Sequence, residues 1–282
     1  MDLFLVVAPV FGTNCTLVVP RLEGPLPDGA ARPCVIVDAG AGVVPGVVEL
    51  VREQGLAPRA VLATHGHADH TWDAAELCEL YGVPFWIHAA DAYRLADPLG
   101  TIESASPAGP DGRVVPGPLA AALAAGGARV EDYRAPGDVR TFGTAGEPGA
   151  GARERLDLDG VLVDALHAPG HTQGSTLYLP VAVGPDPSGD GDMANDSDMA
   201  NDGDTMNDTD RGAQAGVVLA GDVLFAGSVG RTDLPGGDGE TMQRTLRDVV
   251  GRLDDALQVV PGHGPLTTIG RERRTNPYLR GL

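Results

Sequence analysis

The sequence predicts an α/β layered fold, because short apolar runs typical of β-strands alternate with segments of helical periodicity. The chain of 282 residues is long enough to bury a sizeable core without disulfide or metal crosslinks. The runs fall into two groups along the chain, so we expect two sheets that each bury one face against the other. The predicted strands cover residues 3–7, 15–19, 34–38, 60–63, 84–87, 161–166, 175–180, 217–220 and 257–260.

Three helices are predicted from apolar residues spaced three and four positions apart. The first spans residues 45–54, with a proline at its start and a glycine after its end. The second spans residues 71–81 and is stopped by Gly82. The third is predicted from a stripe formed by Met242, Leu246, Val249, Val250 and Leu253.

Two segments depart from this alternation. Residues 97–157 are rich in proline, glycine and alanine, and we expect a short helix near 118–125 within otherwise irregular chain. Residues 183–215 contain nine aspartates and one arginine, and so polar a segment buries too little apolar surface to offset the entropy of ordering it. We therefore predict a single domain over residues 1–282 that carries a disordered acidic insertion at about 183–215.

The composition excludes several classes of function. The 39 acidic residues outnumber the 20 basic ones, which gives a formal charge of −19, and every basic residue is an arginine. Without lysine, Schiff-base and P-loop lysine chemistry are excluded, and the acidic balance argues against nucleic acid or an anionic membrane as a partner. No apolar run reaches the roughly 18 residues of a membrane span, and the first residues lack a signal-peptide pattern. We therefore expect a cytoplasmic protein.

Three of the seven histidines lie within six residues, in the motif THGHADH at residues 64–70. The motif follows a predicted strand and precedes a predicted helix, so we expect it to occupy an exposed turn. His65 and His67 can converge on one ion, while Asp69 and His70 point toward a neighbouring volume. This turn therefore predicts ligands for two metal ions.

Three later loops have the same form, in which an apolar strand leads into a glycine-containing turn and a metal-binding side chain. These loops are APGHT with His171, GD with Asp222 and PGH with His263. Because sites in α/β folds are built at the carboxyl ends of strands, we expect the loops to meet the THGHADH turn at one rim. The candidate ligands are His65, His67, Asp69, His70, His171, Asp222 and His263.

In this order and at these intervals, THGHADH, APGHT, GD and PGH resemble the metallo-β-lactamase superfamily. The longer segments GDVLFAGSVGRTDL, at residues 221–234, and PGHGP, at residues 261–265, are similar to short bacterial glyoxalase II-like hydrolases. The resemblance implies an αββα sandwich, with two mixed sheets and helices on the outer faces. It also implies two divalent metal ions at the rim, with zinc as the expected metal and iron or manganese as alternatives.

The resemblance assigns a role to each candidate residue. The first metal would be held by His65, His67 and His171, and the second by Asp69, His70 and His263. Asp222 would bridge the two ions. Asp69 would also orient the attacking water and accept its proton, and Arg231 would contact an anionic thiol conjugate.

These features together imply hydrolysis of a thioester. Two neighbouring divalent ions lower the pKa of a bridging water toward 7, and the resulting hydroxide attacks a carbonyl carbon. We expect a glyoxalase II-like hydrolase that converts a 2-hydroxyacyl thiol conjugate, such as a lactoyl-thiol, to the 2-hydroxy acid and the free thiol. Longer glyoxalase II proteins have a tyrosine two residues after the last metal histidine, where this chain has Pro265. The thiol carrier therefore stays open between glutathione, mycothiol and another thiol.

Two other hypotheses remain open on the sequence. A persulfide dioxygenase shares the fold and a similar GRTD loop, but binds a single iron through two histidines and one aspartate. A non-enzymatic metal-binding scaffold protein would instead recruit partners through the acidic insertion. The sequence does not indicate the oligomeric state.

Several conspicuous side chains are expected to be structural. We expect His88 to pack or cap, and His167 to make a hydrogen bond in its turn rather than bind metal. The sparse cysteines Cys15, Cys34 and Cys78 lie in apolar runs or on a helix face. We therefore expect them to be buried thiols rather than disulfides or nucleophiles.

Overall fold

Two six-stranded mixed sheets pack face to face, and helices cover their outer faces. The computed structural model describes residues 1–21, 29–102, 117–145, 149–181 and 216–281. This αββα sandwich confirms the predicted α/β fold class and its two-sheet arrangement.

The strands and helices have the following bounds. The strands are β1 (Asp2–Val7), β2 (Asn14–Val19), β3 (Arg32–Val37), β4 (Leu56–Leu62), β5 (Phe85–His88), β6 (Val139–Phe142), β7 (Arg153–Asp157), β8 (Leu162–His167), β9 (Thr176–Pro180), β10 (Val217–Gly221), β11 (Leu224–Phe225), β12 (Ser228–Val229), β13 (Gln258–Pro261) and β14 (Thr267–Thr268). The α-helices are α1 (Val44–Gln54), α2 (Ala68–Thr71), α3 (Ala74–Tyr81), α4 (Pro118–Ala125), α5 (Gly239–Asp248) and α6 (Ile269–Thr275).

Both sheets mix parallel and antiparallel pairs. The first sheet has the order β1-β2-β3-β4-β5-β6 and is antiparallel up to β3 and parallel beyond it. The helices α1, α2 and α3 lie in the connections from β3 to β4 and from β4 to β5, as parallel pairing requires. The second sheet has the order β14-β13-β10-β9-β8-β7, in which β10 and β13 pair in parallel and the other pairs are antiparallel.

The alternation of side chains along each strand fills two separate interiors. In the first sheet, Leu17 and Ile36 belong to the interior beneath α1 and α3, whereas Val18 and Val35 belong to the interior between the sheets. The second sheet packs its outer face against α5 and α6. The continuous apolar runs of the central strands follow from this burial on both faces.

Tyr178 joins the two sheets at the centre of the sandwich. Its side chain on β9 is fully buried, and its hydroxyl donates a hydrogen bond of 2.9 Å to the carbonyl oxygen of Ala63 at the end of β4. Ala63 directly precedes the THGHADH turn. The contact therefore fixes the end of β4, and with it the start of the turn, relative to the second sheet.

The expectation of irregular chain over residues 97–157 is wrong in part. Helix α4 is present as predicted, but the segment also contributes β6 and β7, one at an edge of each sheet. Each of these strands buries a single side chain and carries exposed arginine residues. Charged edge strands lack the apolar run of a central strand, so hydrophobic patterning did not reveal them.

The single helix predicted over residues 71–81 is also wrong in part, because α2 and α3 are separated at Trp72 and Asp73. The carboxylate of Asp73 accepts hydrogen bonds of 2.8 Å from the backbone amides of Gly42 and Val43. These bonds tie the start of α3 to the start of α1. A side chain that bonds distant backbone in this way favours a helix boundary over a continuous helix.

The last part of the chain differs from the prediction in two details. The apolar stripe forms α5, followed by a short 3₁₀ turn at Val250–Arg252, and α6 was not predicted. The insertion predicted at 183–215 lies outside the described residues. No helix among the described ranges combines the length and the apolar character needed to cross a membrane.

The structural roles expected for the cysteines and for two histidines are confirmed. Cys15, Cys34 and Cys78 are buried free thiols. His88 is buried and its ring stacks on that of His167, with 4.3 Å between the ring centroids. The Nε2 atom of His167 lies 2.8 Å from the carbonyl oxygen of Gln173, the turn hydrogen bond that we expected.

We predict that Tyr178→Phe lowers the free energy of unfolding by about 1–2 kcal/mol, because the carbonyl of Ala63 would stay buried without its donor. Tyr178→Ala should cost about 3–5 kcal/mol through the cavity that it leaves. Urea unfolding followed by circular dichroism measures both changes. Tyr278→Phe, at a residue that is 55% exposed, is the control, and an equal loss in the two phenylalanine variants would contradict the inter-sheet hydrogen bond.

His88 should make the stability of the fold sensitive to acid. Burial, and then the neighbouring imidazole of His167, lower the pKa of His88 to about 4, although Asp91 acts in the opposite direction. The unfolded chain takes up this proton near pH 6.5. The stability contributed by neutral His88 is therefore present above pH 6.5 and is lost as the pH falls toward 4.

We accordingly predict that His88→Phe flattens the dependence of the free energy of unfolding on pH between pH 6.5 and pH 4. One proton corresponds to at most about 1.4 kcal/mol per pH unit. Urea midpoints measured across this range for the metal-free wild type and the variant provide the comparison. Identical slopes would show that His88 does not titrate in this window.

Candidate metal centre

Four strand ends at one rim of the sandwich bring the candidate ligands together. The THGHADH turn follows β4 and continues into α2, so that His67 precedes the first turn of this helix and Asp69 lies within it. The other candidate ligands follow the ends of β8, β10 and β13, and they are His171, Asp222 and His263. Backbone hydrogen bonds join the loops after β13 and β10, through Gly262 N to Gly221 O at 2.7 Å, and join the THGHADH turn to β9, through Thr176 N to Thr64 O at 2.9 Å.

The first cluster consists of three imidazoles whose nitrogens face one another. His65 Nε2 lies 3.0 Å from His67 Nδ1, and His171 Nε2 lies 3.2 Å from His65 Nε2 and 3.0 Å from His67 Nδ1. Three nitrogens bound to one tetrahedral zinc ion would be separated by about 3.3 Å, given Zn–N bonds of about 2.0–2.1 Å. The cluster therefore has the spacing of a metal site.

The second cluster lies beside the first and contains one carboxylate. His263 Nε2 lies 3.1 Å from Asp69 Oδ2 and 3.2 Å from His70 Nε2, while Asp69 Oδ2 and His70 Nε2 are 3.8 Å apart. All three ligand atoms lie within 4.8 Å of one another. These groups could hold a second ion.

Asp222 lies between the two clusters and directs one carboxylate oxygen to each. Its Oδ1 atom lies 3.3 Å from His70 Nε2 and 3.7 Å from His263 Nε2, and its Oδ2 atom lies 3.7 Å from His171 Nε2. A carboxylate placed in this way could contact an ion held by either cluster.

The ligand atoms are better suited to binding cations than to forming hydrogen bonds with one another. Each nitrogen of the first cluster faces two others, and a neutral imidazole has one N–H, so hydrogen bonds within the cluster cannot satisfy every ring nitrogen. The buried Oδ1 atom of Asp222 has no hydrogen-bond partner among the described residues, despite its 3.3 Å separation from His70 Nε2. A buried carboxylate oxygen that lacks a donor is suited to binding a metal ion.

Polar contacts on the far side of three rings, two of them hydrogen bonds, orient the nitrogens that face the centre. His171 Nδ1 donates to the carbonyl oxygen of Arg231 at 2.8 Å, and His263 Nδ1 donates to that of Phe11 at 3.1 Å. His70 Nδ1 lies 3.0 Å from Asp38 Oδ2. A ring that donates through Nδ1 presents the lone pair of Nε2 to the centre, as metal-binding histidines do.

Burial and charge leave His65 and His67 with free lone pairs at neutral pH. Burial, followed by the neighbouring imidazoles, holds the pKa of His65 well below its usual value. Burial and the adjacent ring of His171 lower the pKa of His67 to about 3. Because metal binding requires unprotonated imidazole, these rings are prepared to bind a cation at pH 7.

In the second cluster, carboxylates and imidazoles shift the pKa values of one another. Burial favours the neutral form of Asp69 and Asp222, but the adjacent His70 and its neighbours outweigh this effect and hold both carboxyl pKa values below the usual range. Burial likewise disfavours charge on His70 and His263. Asp38, followed by Asp69 and Asp222, nevertheless raises the pKa of His70, and Asp69 with Asp222 raises that of His263. Two ionised carboxylates at the centre favour the binding of cations.

The centre is open to solvent on one side. The side chains of Asp69, Asp222 and His263 are 18%, 14% and 27% exposed, whereas that of His171 is 3% exposed. The second cluster therefore lies on the side of the centre that is accessible to solvent. The ring of Phe225, whose centroid lies 6.3 Å from that of His263, contributes an apolar surface at this opening.

All seven candidate ligands thus lie at one rim, and their role as ligands remains a prediction. Arg231 is placed differently: its carbonyl oxygen supports His171, but its side chain is 61% exposed and pairs with Asp233 at 2.7 Å. Sequence reasoning missed Asp38, which directly follows β3 and accepts hydrogen bonds from Thr64. A polar residue after an apolar strand was the signal used for the other loops, and it would have identified Asp38.

The sequence comparisons agree with this geometry. The family model of the metallo-β-lactamase superfamily matches residues 8–187. An uncharacterized protein of Mycobacterium tuberculosis is 35% identical over 256 residues, which cover 90% of this chain and 91% of that protein. The hydroxyacylglutathione hydrolase GloC of Haemophilus influenzae is 27% identical over 279 residues, which cover 99% of this chain and 98% of that enzyme.

A solved structure has the same architecture. The crystal structure of TTHA1623 in a di-iron-bound form superimposes with a TM-score of 0.60 at 28% sequence identity, covering 98% of this chain and 100% of that chain. The match to the family model and the identity to the mycobacterial protein show that the chain belongs to the metallo-β-lactamase superfamily, whose members bind metal ions.

Proposed function

We propose that the protein is a metal-dependent thioester hydrolase of the glyoxalase II type. Its substrate is a 2-hydroxyacyl thiol conjugate, such as a lactoyl-thiol, and its products are the 2-hydroxy acid and the free thiol. The observation that carries the proposal is the pair of donor clusters linked by Asp222 on the open rim. Similarity to a hydroxyacylglutathione hydrolase over almost the whole chain supports this substrate class.

The residues fit two divalent ions. In the proposed assignment His65, His67 and His171 hold the first ion, Asp69, His70 and His263 hold the second, and Asp222 contacts both. Imidazole and carboxylate ligands suit zinc, iron and manganese, and we propose zinc as the native metal. When bound, such a pair supplies a hydroxide at neutral pH and a positive field for the charge that develops on the carbonyl oxygen.

The side chains of the protein position the reactants. The carboxylate of Asp69 is partly exposed on the open side, so it can orient a water molecule and accept its proton. The apolar ring of Phe225 lies beside the same opening, where the acyl chain would enter. Arg231 reaches solvent from the loop whose carbonyl supports His171 and is the proposed contact for an anionic thiol conjugate.

The proposal is tested by measuring metal content, thiol release and oxygen uptake on the same preparation. We expect about two metal ions per chain and release of thiol from S-lactoylglutathione or from lactoylated mycothiol, without oxygen consumption. A single iron per chain together with oxygen uptake on glutathione persulfide would favour the persulfide dioxygenase. If the metal-loaded protein turned over neither class of substrate, the non-enzymatic scaffold would gain support.

We predict that His67→Ala lowers both the affinity for the first metal and the thioesterase activity. The loss should exceed the roughly 10–100-fold loss that follows when a residue that only hydrogen-bonds a metal ligand is removed. The reason is that the substitution removes one of three converging nitrogens. Metal analysis after gel filtration and the thiol-release assay measure the two effects. His88→Gln replaces a buried histidine outside both clusters and serves as the control, so equal losses in the two variants would contradict the ligand assignment.

For Arg231→Ala we expect KM for an anionic thiol conjugate to rise about tenfold, the equivalent of one charge-assisted hydrogen bond, with kcat little changed. Arg247 forms a similar exposed pair with Asp248 at 3.0 Å, which makes Arg247→Ala the matched control for lost positive charge. Initial rates over a range of S-lactoylglutathione concentrations separate KM from kcat. A KM equal to that of the control would remove Arg231 from the substrate site.

A further inference from the structure

Asp91 and Arg94 form a fully buried charged pair outside the seven candidate ligands. Both side chains have no solvent exposure, and they lie around a short 3₁₀ turn that follows β5. Arg94 Nε donates to Asp91 Oδ1 at 3.3 Å. Because burying two charges is costly unless other polar groups surround them, the partners of this pair indicate what it does.

The carboxylate of Asp91 joins two of the loops that carry first-cluster histidines. Its Oδ2 atom accepts hydrogen bonds from the backbone amide of Gly66 at 2.9 Å and from Thr172 Oγ1 at 2.7 Å. Its Oδ1 atom also accepts from the amide of Gly174 at 2.9 Å. Gly66 separates His65 from His67, and Thr172 follows His171, so one carboxylate contacts the backbone segments of all three imidazoles.

Arg94 extends the same connection to a third segment. Its Nη2 atom donates to Gln173 Oε1 and to the carbonyl oxygen of Pro235, both at 2.9 Å. Pro235 lies four residues after Arg231, whose carbonyl oxygen accepts a hydrogen bond from His171 Nδ1. The pair therefore holds both the loop of His171 and the loop that orients its ring.

Two glycines allow Asp91 to approach this closely. A Cβ atom at Gly66 would lie 2.9 Å from Asp91 O and 2.8 Å from Arg94 Cδ, and one at Gly174 would lie 2.7 Å from Asp91 Cβ. Such distances are too short for carbon contacts. The backbone of both loops is thus packed directly onto the pair, with no side chain between them.

The rings of the second cluster are held by other groups than Asp91 and Arg94. His70 is held by Asp38 and His263 by the carbonyl oxygen of Phe11, and the hydrogen bonds of Asp91 and Arg94 go to neither ring. Of the two clusters, Asp91 and Arg94 therefore contact the loops of the first alone, whereas Asp38 contacts His70 and also accepts hydrogen bonds from Thr64, which precedes His65. A satisfied buried network fixes the geometry of the groups that it contacts.

We propose that Asp91 and Arg94 are positioning residues for the first metal: they hold His65, His67 and His171 at the spacing that binds an ion, and they do not serve the second metal. This inference rests on the ligand assignment of the proposed function. It does not depend on the substrate.

The test measures Co²⁺ binding by each cluster separately, in variants that retain only one complete set of ligands. The background His263→Ala retains the first cluster, and His67→Ala retains the second. Adding Asp91→Asn should weaken Co²⁺ binding at least tenfold in the first background and less than twofold in the second. Equilibrium titration monitored by Co²⁺ absorption supplies the affinities, with no activity assay required.

Asp164 provides a matched control for the loss of a buried carboxylate. It is 3% exposed and pairs with Arg153 and Arg155, each at 2.6 Å, away from both clusters. Asp164→Asn in the His263→Ala background should lower the unfolding temperature and leave Co²⁺ affinity unchanged. If it weakened Co²⁺ binding as much as Asp91→Asn does, the role of Asp91 would be general stability and the proposal would be wrong.

A milder pair of variants keeps the test informative if Asp91→Asn fails to fold. Thr172→Val removes the hydroxyl that bonds Asp91 and preserves the volume, whereas Thr172→Ser retains a hydroxyl. In the His263→Ala background we expect weaker Co²⁺ binding for the valine variant and restoration for the serine variant. Equal affinities in the two would overturn the proposal.

The outcomes separate this inference from the proposed function. If the His263→Ala background bound no Co²⁺, the assignment of the first cluster would fail and this inference with it. If the wild type bound two ions but did not hydrolyse S-lactoylglutathione, the proposed reaction would fail while the role of Asp91 and Arg94 would stand on the binding data.

Discussion

The rigid packing of one sheet on the other is the constraint on which the centre depends. The candidate ligands come from loops of both sheets, and none of these loops could assemble the clusters alone. Alternating side chains such as Val18 and Val35 fill the layer between the sheets, and the Tyr178 hydroxyl bonds across it to Ala63. Because a close-packed interior tolerates little displacement, the strand ends keep a fixed separation, and the distances between imidazole nitrogens follow from it.

Charge is arranged around the centre at two levels. The inner groups combine imidazoles such as that of His67, whose pKa is lowered by burial, with carboxylates such as that of Asp69, which its neighbours keep ionised. Behind them, Asp38 supports the ring of His70, and Asp91 with Arg94 contacts the backbone of the histidine loops. Each buried carboxylate behind the centre is matched by donors, so the outer groups can hold the inner ones without competing for a cation.

The sequence revealed the central strands and the candidate ligands because both follow local rules. Buried strands are continuous apolar runs, and the side chains of the centre directly follow such runs in turns. The edge strands β6 and β7 escaped notice because exposure permits charged residues there. Asp91 and Arg94 could not be recognised from sequence, since their importance lies in contacts with residues such as Gly174 and Pro235, far away along the chain.

The unequal depth of the two clusters has a kinetic consequence. His65, His67 and His171 are almost completely covered, while His263 remains 27% exposed at the mouth of the centre. An ion travelling to the inner position from the open side must pass the outer ligands. In the proposed two-ion centre, exchange with the medium should therefore be faster at the outer position, and a chelator should remove the ions in sequence rather than together.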